Sequence, residues 1–469
     1  MNIFHKRNTI IYFIFCFVIA LNSQCRKSEL LTGSNVELTF SADTILFDTL
    51  FTTIGSTTKY FKVYNSNNGK INITSIQLAQ GTNSPYRINV NGEAGVSFEN
   101  IEIEENDSIF IFVEVTIDPN NTNNPLIVED SILFLTNNNL QKVVLNAWGQ
   151  DAYFHVNEII TQDETWNNDK PHVIYNYCAV DSANTLIIPA GTTVHGHANA
   201  TLLVYKSSLL VNGTLGSPVI FKQDRMEDYL LYDADSTAGQ WRGIYFFEPL
   251  NSKIENAEII NATIGIQIDT ATLNNKVKLA NVKVQNSLFA GILTQGANVA
   301  AVNCLFGNAG QYSAYISIGG DVKFQHCTFG NYWQGQRNSP LFVFKDFYES
   351  NAGLQYRPFI NAEFYNCIMY GNNENEFVMD TLGRDLSGEV PIVHFTNNLI
   401  KSEDPIDHPD FFNSCFLNNN PEFINATQWN FKIPTNSFSV DKGYLSNIIV
   451  DIDGNTRFNG NDLGCYEAY

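Results

Sequence analysis

The sequence predicts an all-β protein, with an N-terminal immunoglobulin-like β-sandwich followed by a right-handed parallel β-helix. Three observations carry that expectation. Hydrophobic residues are 44% of the 469 and aromatics 13%, enough for a large core and against a disordered chain. Short apolar, β-branched runs alternate throughout with Asn, Gly and Pro, the residues that supply turns. From residue 172 short apolar runs recur every 7 to 10 residues, and from Asn256 motifs repeat 25 residues apart, which together point to stacked coils. Asn is prominent among the polar residues, 59 in all; it tolerates left-handed backbone and hydrogen-bonds its own chain.

Residues 1–25 form a targeting segment outside the fold. His5, Lys6 and Arg7 precede a 13-residue apolar stretch, 9–21, which is short of the roughly 20 residues of a membrane span. Cys25 follows four residues later. A cysteine placed there resembles the lipidated cysteine of a bacterial lipoprotein box; an ordinary secretory peptide is the other reading. Lipidation at Cys25 implies an exported outer-membrane lipoprotein, at the cell surface, that meets the membrane only through this anchor.

Residues 34–150 are assigned to the sandwich. Seven apolar or alternating runs lie at 37–40, 59–64, 71–76, 86–90, 108–115, 130–135 and 143–147. No Cys occurs between residues 26 and 177, so the inter-sheet disulfide of antibody domains is absent.

Residues 172–435 are assigned to the β-helix. Asn256 aligns with Asn281, and Asn261 with Asn286, each 25 residues on. The pairs Asn303-Cys304, His326-Cys327 and Asn366-Cys367 recur, with Asn397 and Asn398 a weaker member. The intervals of 23, 40 and 31 residues read as single coils carrying insertions. One coil cannot bury its inward face alone, so coils stack and equivalent side chains form ladders. Cys304, Cys327 and Cys367 suit an inward ladder of small buried residues, with disulfides between rungs the less favoured state. A second sandwich is the competing architecture, and the 25-residue repeat argues against it. Residues 436–469 read as a closing segment for the solenoid, whose open edge would otherwise invite pairing.

Several segments together resemble a family of Bacteroidetes envelope lipoproteins that carry an immunoglobulin-like module and a pectate-lyase-like β-helix. They are 47–56, 146–154, 239–245, 326–333 and the C-terminal motif around Asp451, Gly454, Arg457 and 461–467. Proteins of that fold include polysaccharide lyases, glycoside hydrolases and non-catalytic adhesins, so the resemblance implies no single activity. Asp followed by Ser or Thr is also similar to an O-glycosylation motif of that phylum. It falls at Thr44, Thr49, Ser108, Ser131, Ser182, Ser236, Thr270 and Thr381.

A net charge of −21, from 27 basic and 48 acidic residues, disfavours nucleic acid and anionic surfaces as partners. No phosphate-binding glycine loop is present, so no nucleotide is expected. No CxxC or Cys/His cluster appears at metal spacing, so neither metal nor cofactor is expected. No G-x-S-x-G occurs, no acidic pair recurs on adjacent coils, and no catalytic residue is assigned. Acidic residues at 224–228 and 233–235 read as a solvated loop. Asp451 and Asp453 lack the glycine a calcium loop needs at its sixth position, and read as a turn. His195 and His197 alternate in a strand pattern without a third ligand, which favours a turn or surface role.

Aromatics are the better lead, because sugar rings stack on exposed Tyr and Trp. Tyr332, Trp333, Arg337, Tyr348 and Tyr356 are the candidate ligand-binding residues, at and within an insertion from 333 to 361 that breaks the coil period. The function expected is non-catalytic: binding a glycan or another envelope component, or serving as a structural stalk. The alternative is a carbohydrate-active enzyme, a polysaccharide lyase or glycoside hydrolase, working on the β-helix face. A groove of amides and aromatics favours binding. Two or more carboxylates with a Lys or Arg favour catalysis.

Overall fold

The computed structural model describes residues 29–52, 55–118, 126–225, 236–272, 274–350, 353–382, 392–406, 409–457 and 461–468. Cys25 and most of the 224–235 acidic stretch lie outside them. The protein is all-β. Its described helices are two 3-10 turns, Gly81–Asn83 and Ala426–Gln428. Among the described residues no helix is long and apolar enough to cross a membrane. The chain divides into two compact units, Met1–Gln150 and Asp151–Tyr469.

The first unit holds β1 (Thr39–Phe40), β2 (Thr44–Phe51), β3 (Lys59–Tyr64), β4 (Ile71–Leu78), β5 (Tyr86–Val90), β6 (Glu93–Gly95), β7 (Ser97–Ile103), β8 (Ser108–Val115), β9 (Leu126–Thr136) and β10 (Asn139–Gln150). They form two five-stranded sheets, ordered β1-β3-β8-β5-β6 and β2-β10-β9-β4-β7. Alternation places the core. In β8, Ile109, Ile111, Val113 and Val115 are buried while Phe110 and Phe112 face out. Six of the seven expected runs fall wholly in strands, and of 37–40 only Thr39–Phe40 does. The runs missed are β2, where Asp48 interrupts the apolar pattern, and β6 and β7, which carry too many polar residues to show one.

The second unit begins with β11 (Tyr153–Ile160), β12 (Glu164–Thr165) and β13 (His172–Asp181) and continues to Phe416–Leu417 in one sheet of parallel pairs. Each strand pairs with the strand one coil later. Register therefore stacks Leu202, Ile244, Ile266, Ile292, Ala314, Phe342 and Phe377 in one buried column. Leu305 pairs with Thr328, and Thr328 with Ile368. The preceding residues, Cys304, Cys327 and Cys367, thus stand on successive rungs, fully buried and with free thiols.

A second column explains the asparagines. Asn256, Asn281, Asn303, His326, Asn366 and Asn397 turn successive coils with φ of 48°, 53°, 51°, 50°, 54° and 52°. Asn pays the least among side chains for this left-handed region. The stacked amides also bond one another. Asn281 Nδ2 donates to Asn256 Oδ1 (3.0 Å), and Asn303 Nδ2 to Asn281 Oδ1 (3.3 Å). Beside them Asn286 Nδ2 donates to Asn261 Oδ1 at 2.7 Å.

The C-terminal segment reaches back along this side of the stack. Lys442 O accepts from Asn397, Tyr444 O from Asn366 and Val450 O from Asn303. Its sequence motif makes one knot. Buried Asp451 accepts from the backbone N–H groups of Asp453, Asn455 and Glu467, and Arg457 binds Asn303 Oδ1, Gly464 O and Glu467.

Candidate functional site

A cleft of about 470 Å³ opens where two segments nearly a hundred residues apart meet. One wall follows the strand Thr328–Asn331. Two asparagines hold its backbone: Asn308 Oδ1 accepts from Tyr332 N–H (2.7 Å), and Asn331 Oδ1 from Trp333 N–H (3.1 Å). Gly335 then lets the Trp333 indole lie close, since a Cβ at Gly335 would stand 2.5 Å from Trp333 Nε1.

The other wall is the Ala426–Gln428 turn, held by Asn308 Nδ2 on Ala426 O at 2.8 Å. It ends in Trp429 at φ 64°, a left-handed conformation rare for so bulky a side chain. Gln285 Nε2 fixes the Trp429 carbonyl at 2.9 Å. Strain of this kind, held by surrounding bonds, concentrates at working sites.

The cleft is lined by Trp333, Trp429 and Tyr332, by the amides of Asn286, Asn308, Gln334 and Gln428, and by Ser236, Gly335 and Thr427. Among these described residues there is no carboxylate and no cation. Burial pushes the Tyr332 phenol above its ordinary range, so it stays neutral. The site offers aromatic faces and neutral donors and acceptors, which suits a neutral polyhydroxylated ligand.

Of the residues singled out in the sequence, Tyr332 and Trp333 line this cleft. Arg337 does not. Its guanidinium is buried against Glu376, with Nη1 and Nη2 at 2.7 and 2.5 Å from the carboxylate, and also binds Asn372 Oδ1 and Ser339 O. Glu376 further accepts from the N–H groups of Leu341 and Asn373. Arg337 is thus reassigned from ligand contact to anchoring the insertion, because its charge is already neutralised inside the fold. Tyr348 and Tyr356 lie on an antiparallel hairpin, Phe347–Ser350 with Gly353–Tyr356, and are not in the cleft lining. Trp429, Gln428 and Thr427 escaped notice because no local pattern joins them to a strand nearly a hundred residues earlier.

His195 and His197 separate. His195 is buried with Nδ1 on Gln223 O (2.7 Å), and burial lowers its pKa to about 4. His197 pairs with Asp224 at 2.6 Å and stacks on Tyr175. Asp269 is one of several buried carboxyls of the second unit. Tyr245 Oη and Gln267 Nε2 donate to its Oδ2, both at 2.9 Å, Oδ1 is buried without a partner, and burial raises its pKa.

No protein-family model matches the chain, and no curated protein matches it. Among solved structures it is similar to a family 123 glycoside hydrolase from Clostridium perfringens, described for glycolipid glycan hydrolysis. The identity is 8% and the TM-score 0.19, over 26% of this chain and 30% of that one. The chain therefore spans less than a third of that enzyme, and no residue role passes across so slight a likeness.

Proposed function

We propose that this is a non-catalytic glycan-binding protein, exported and anchored to the outer membrane through lipidated Cys25. In this reading residues 34–150 are an immunoglobulin-like module, 172–435 a right-handed parallel β-helix and 436–469 its closing segment. The cleft between Trp333 and Trp429 takes the ligand. One observation carries the proposal: the cleft is walled by aromatic rings and amides, with no acid or base among its described lining residues. Hydrolysis of a glycosidic bond requires two carboxylates flanking it, and uronate elimination requires a base. Tryptophan faces with amide donors need neither to hold a sugar.

Affinity electrophoresis against a panel of neutral polysaccharides tests this. The chain is expected to be retarded by at least one of them without releasing reducing ends. Trp333→Ala and Trp429→Gly should each lose most of that retardation, about tenfold or more in affinity for a stacked ring. Retardation unchanged in the double variant, or none by any polysaccharide, overturns the cleft assignment. Loss of membrane fractionation in Cys25→Ser tests the anchor.

A catalytic reading has one observation in its favour, the buried Asp269 carboxyl with its raised pKa. Release of oligosaccharide that vanishes in Asp269→Asn would establish it.

A further inference from the structure

The start of the stack holds a polar cluster that the cleft does not use. His155 and Glu158 lie on β11, and Cys178 on β13, one coil later. Register pairs Glu158 with Cys178, so the two side chains become neighbours across the rung. A ring nitrogen of His155, a Glu158 carboxylate oxygen and Cys178 Sγ all lie within 4.8 Å of one another. His155 is almost wholly buried, Cys178 fully, and Glu158 retains an exposed edge.

His155 continues into a chain of contacts. Its Nδ1 meets Glu158 Oε2, its Nε2 meets His172 Nδ1 at 2.8 Å, and His172 Nε2 meets Asn167 O at 2.8 Å. The two ends, a carboxylate and a carbonyl, only accept. Cys178 Sγ stands beside the Glu158 end of this chain, so nitrogen, oxygen and sulfur ligand atoms converge at one place. Trp166 stacks on both imidazoles, at 4.4 and 4.2 Å between centroids, and Tyr153 on His172 at 5.0 Å, which fixes the ring planes.

We propose that this convergence holds a divalent metal ion of the zinc type, bound by His155 Nδ1, the Glu158 carboxylate and Cys178 Sγ, with a solvent molecule completing a tetrahedron on the exposed Glu158 side. Nitrogen, oxygen and thiolate together suit a borderline-soft ion rather than magnesium or calcium. Tetrahedral ligands at ordinary bond lengths stand about 3.5 Å apart, so Cys178 Sγ draws in by up to about 1.3 Å while His155 Nδ1 and the Glu158 oxygen part from their hydrogen bond. His155 Nε2–H donating to His172, and His172 Nε2–H to Asn167, form the outer support that orients a ligating imidazole. His172 is a positioning residue. Loading the site releases the Cys178 proton to solvent, so affinity rises with pH. The ion clips the first coil to the second. It escapes a reading of spacing along the chain because Cys178 reaches the other two only through the coil.

The test is cobalt titration of the full chain after chelator treatment, read by absorption, beside the metal content of the untreated protein. One equivalent of Co²⁺ is expected, with a thiolate-to-cobalt band in the near ultraviolet and tetrahedral bands in the visible. Cys178→Ser should lose the thiolate band, His155→Gln should lose binding, and His172→Gln should weaken it about 10- to 100-fold. Cys304→Ser, on the inward cysteine ladder, should keep the whole spectrum. Absence of any cobalt spectrum in the folded wild-type chain overturns the proposal. A thiolate band that survives in Cys178→Ser overturns it as well.

Discussion

Asn91 and Asn281 have the same backbone conformation, φ 53° at both, and different work. In the first unit, Asn91 and Gly92 make the two-residue turn between β5 and β6, where Val90 faces Glu93. That turn serves one hairpin, and Asn91 is exposed. In the second unit, Asn281 turns a coil and also donates to Asn256 while accepting from Asn303. An antiparallel sheet built of hairpins meets each turn once. A parallel stack meets the same turn on every coil, so a residue suited to the turn also meets copies of itself. The same contrast holds for charge. Lys70 of the first unit pairs with half-exposed Glu102 and Glu104, whereas Arg337 and Glu376 of the second are buried together.

The largest effect expected from that contrast is at the buried pair. Glu376→Ala strands the Arg337 charge and two backbone N–H groups, and should cost about 3–5 kcal/mol by urea unfolding of the second unit. Lys70→Ala should leave the unfolding midpoint of the first unit unchanged, since water screens its partners. A small loss at Glu376 would mean that the insertion is not anchored there.

Acid should next separate the two units. Burial lowers His195 to about 4, and lowers His326 to about 3 with the help of nearby Arg457. Both values lie below the unfolded pKa near 6.5, so the unfolded chain takes protons first. Stability from these residues is complete above pH 6.5 and is lost as pH falls toward the folded values. Between pH 7 and pH 5 the loss should be about 2 kcal/mol for each histidine. The first unit has no histidine among its described residues, so its amide exchange should change far less. Equal acid sensitivity in both units would refute the assignment.

The smallest effects test the asparagines themselves. Asn281→Ala loses a tolerated left-handed residue and two ladder bonds, and should cost about 2 kcal/mol. Asn91→Ala loses only the first and should cost about 1 kcal/mol. Glycine at each position should restore Asn91 almost fully and Asn281 only in part.

Much of this was readable residue by residue. Lys59–Tyr64 and Ser108–Val115 were expected as strands from their apolar runs, and both are strands in which burial alternates. The 25-residue interval from Asn256 to Asn281 is a hydrogen bond in the structure. Cys304, Cys327 and Cys367 were expected on successive inward rungs and are there, as thiols. Tyr332 and Trp333, singled out in the sequence as ligand-binding candidates, line the cleft. Arg337 was misread because a cation in an insertion looks solvent-facing until its partner, 39 residues on, is seen. Trp429 and Cys178 were missed for the same reason in reverse.

Period, turn chemistry and the sign of each face are local properties, set by side-chain volume, branching and φ preference, and the amino-acid sequence determines them unaided. It thereby settled the all-β character, the strand runs and the columns in which like residues repeat. Which unlike residues meet is another matter. The pairing of Arg337 with Glu376, the approach of Trp429 to Trp333, and the gathering of His155, Glu158 and Cys178 depend on insertion lengths and on how coils fall in register. Only the tertiary structure decides those, because distance across a rung is unrelated to distance along the chain.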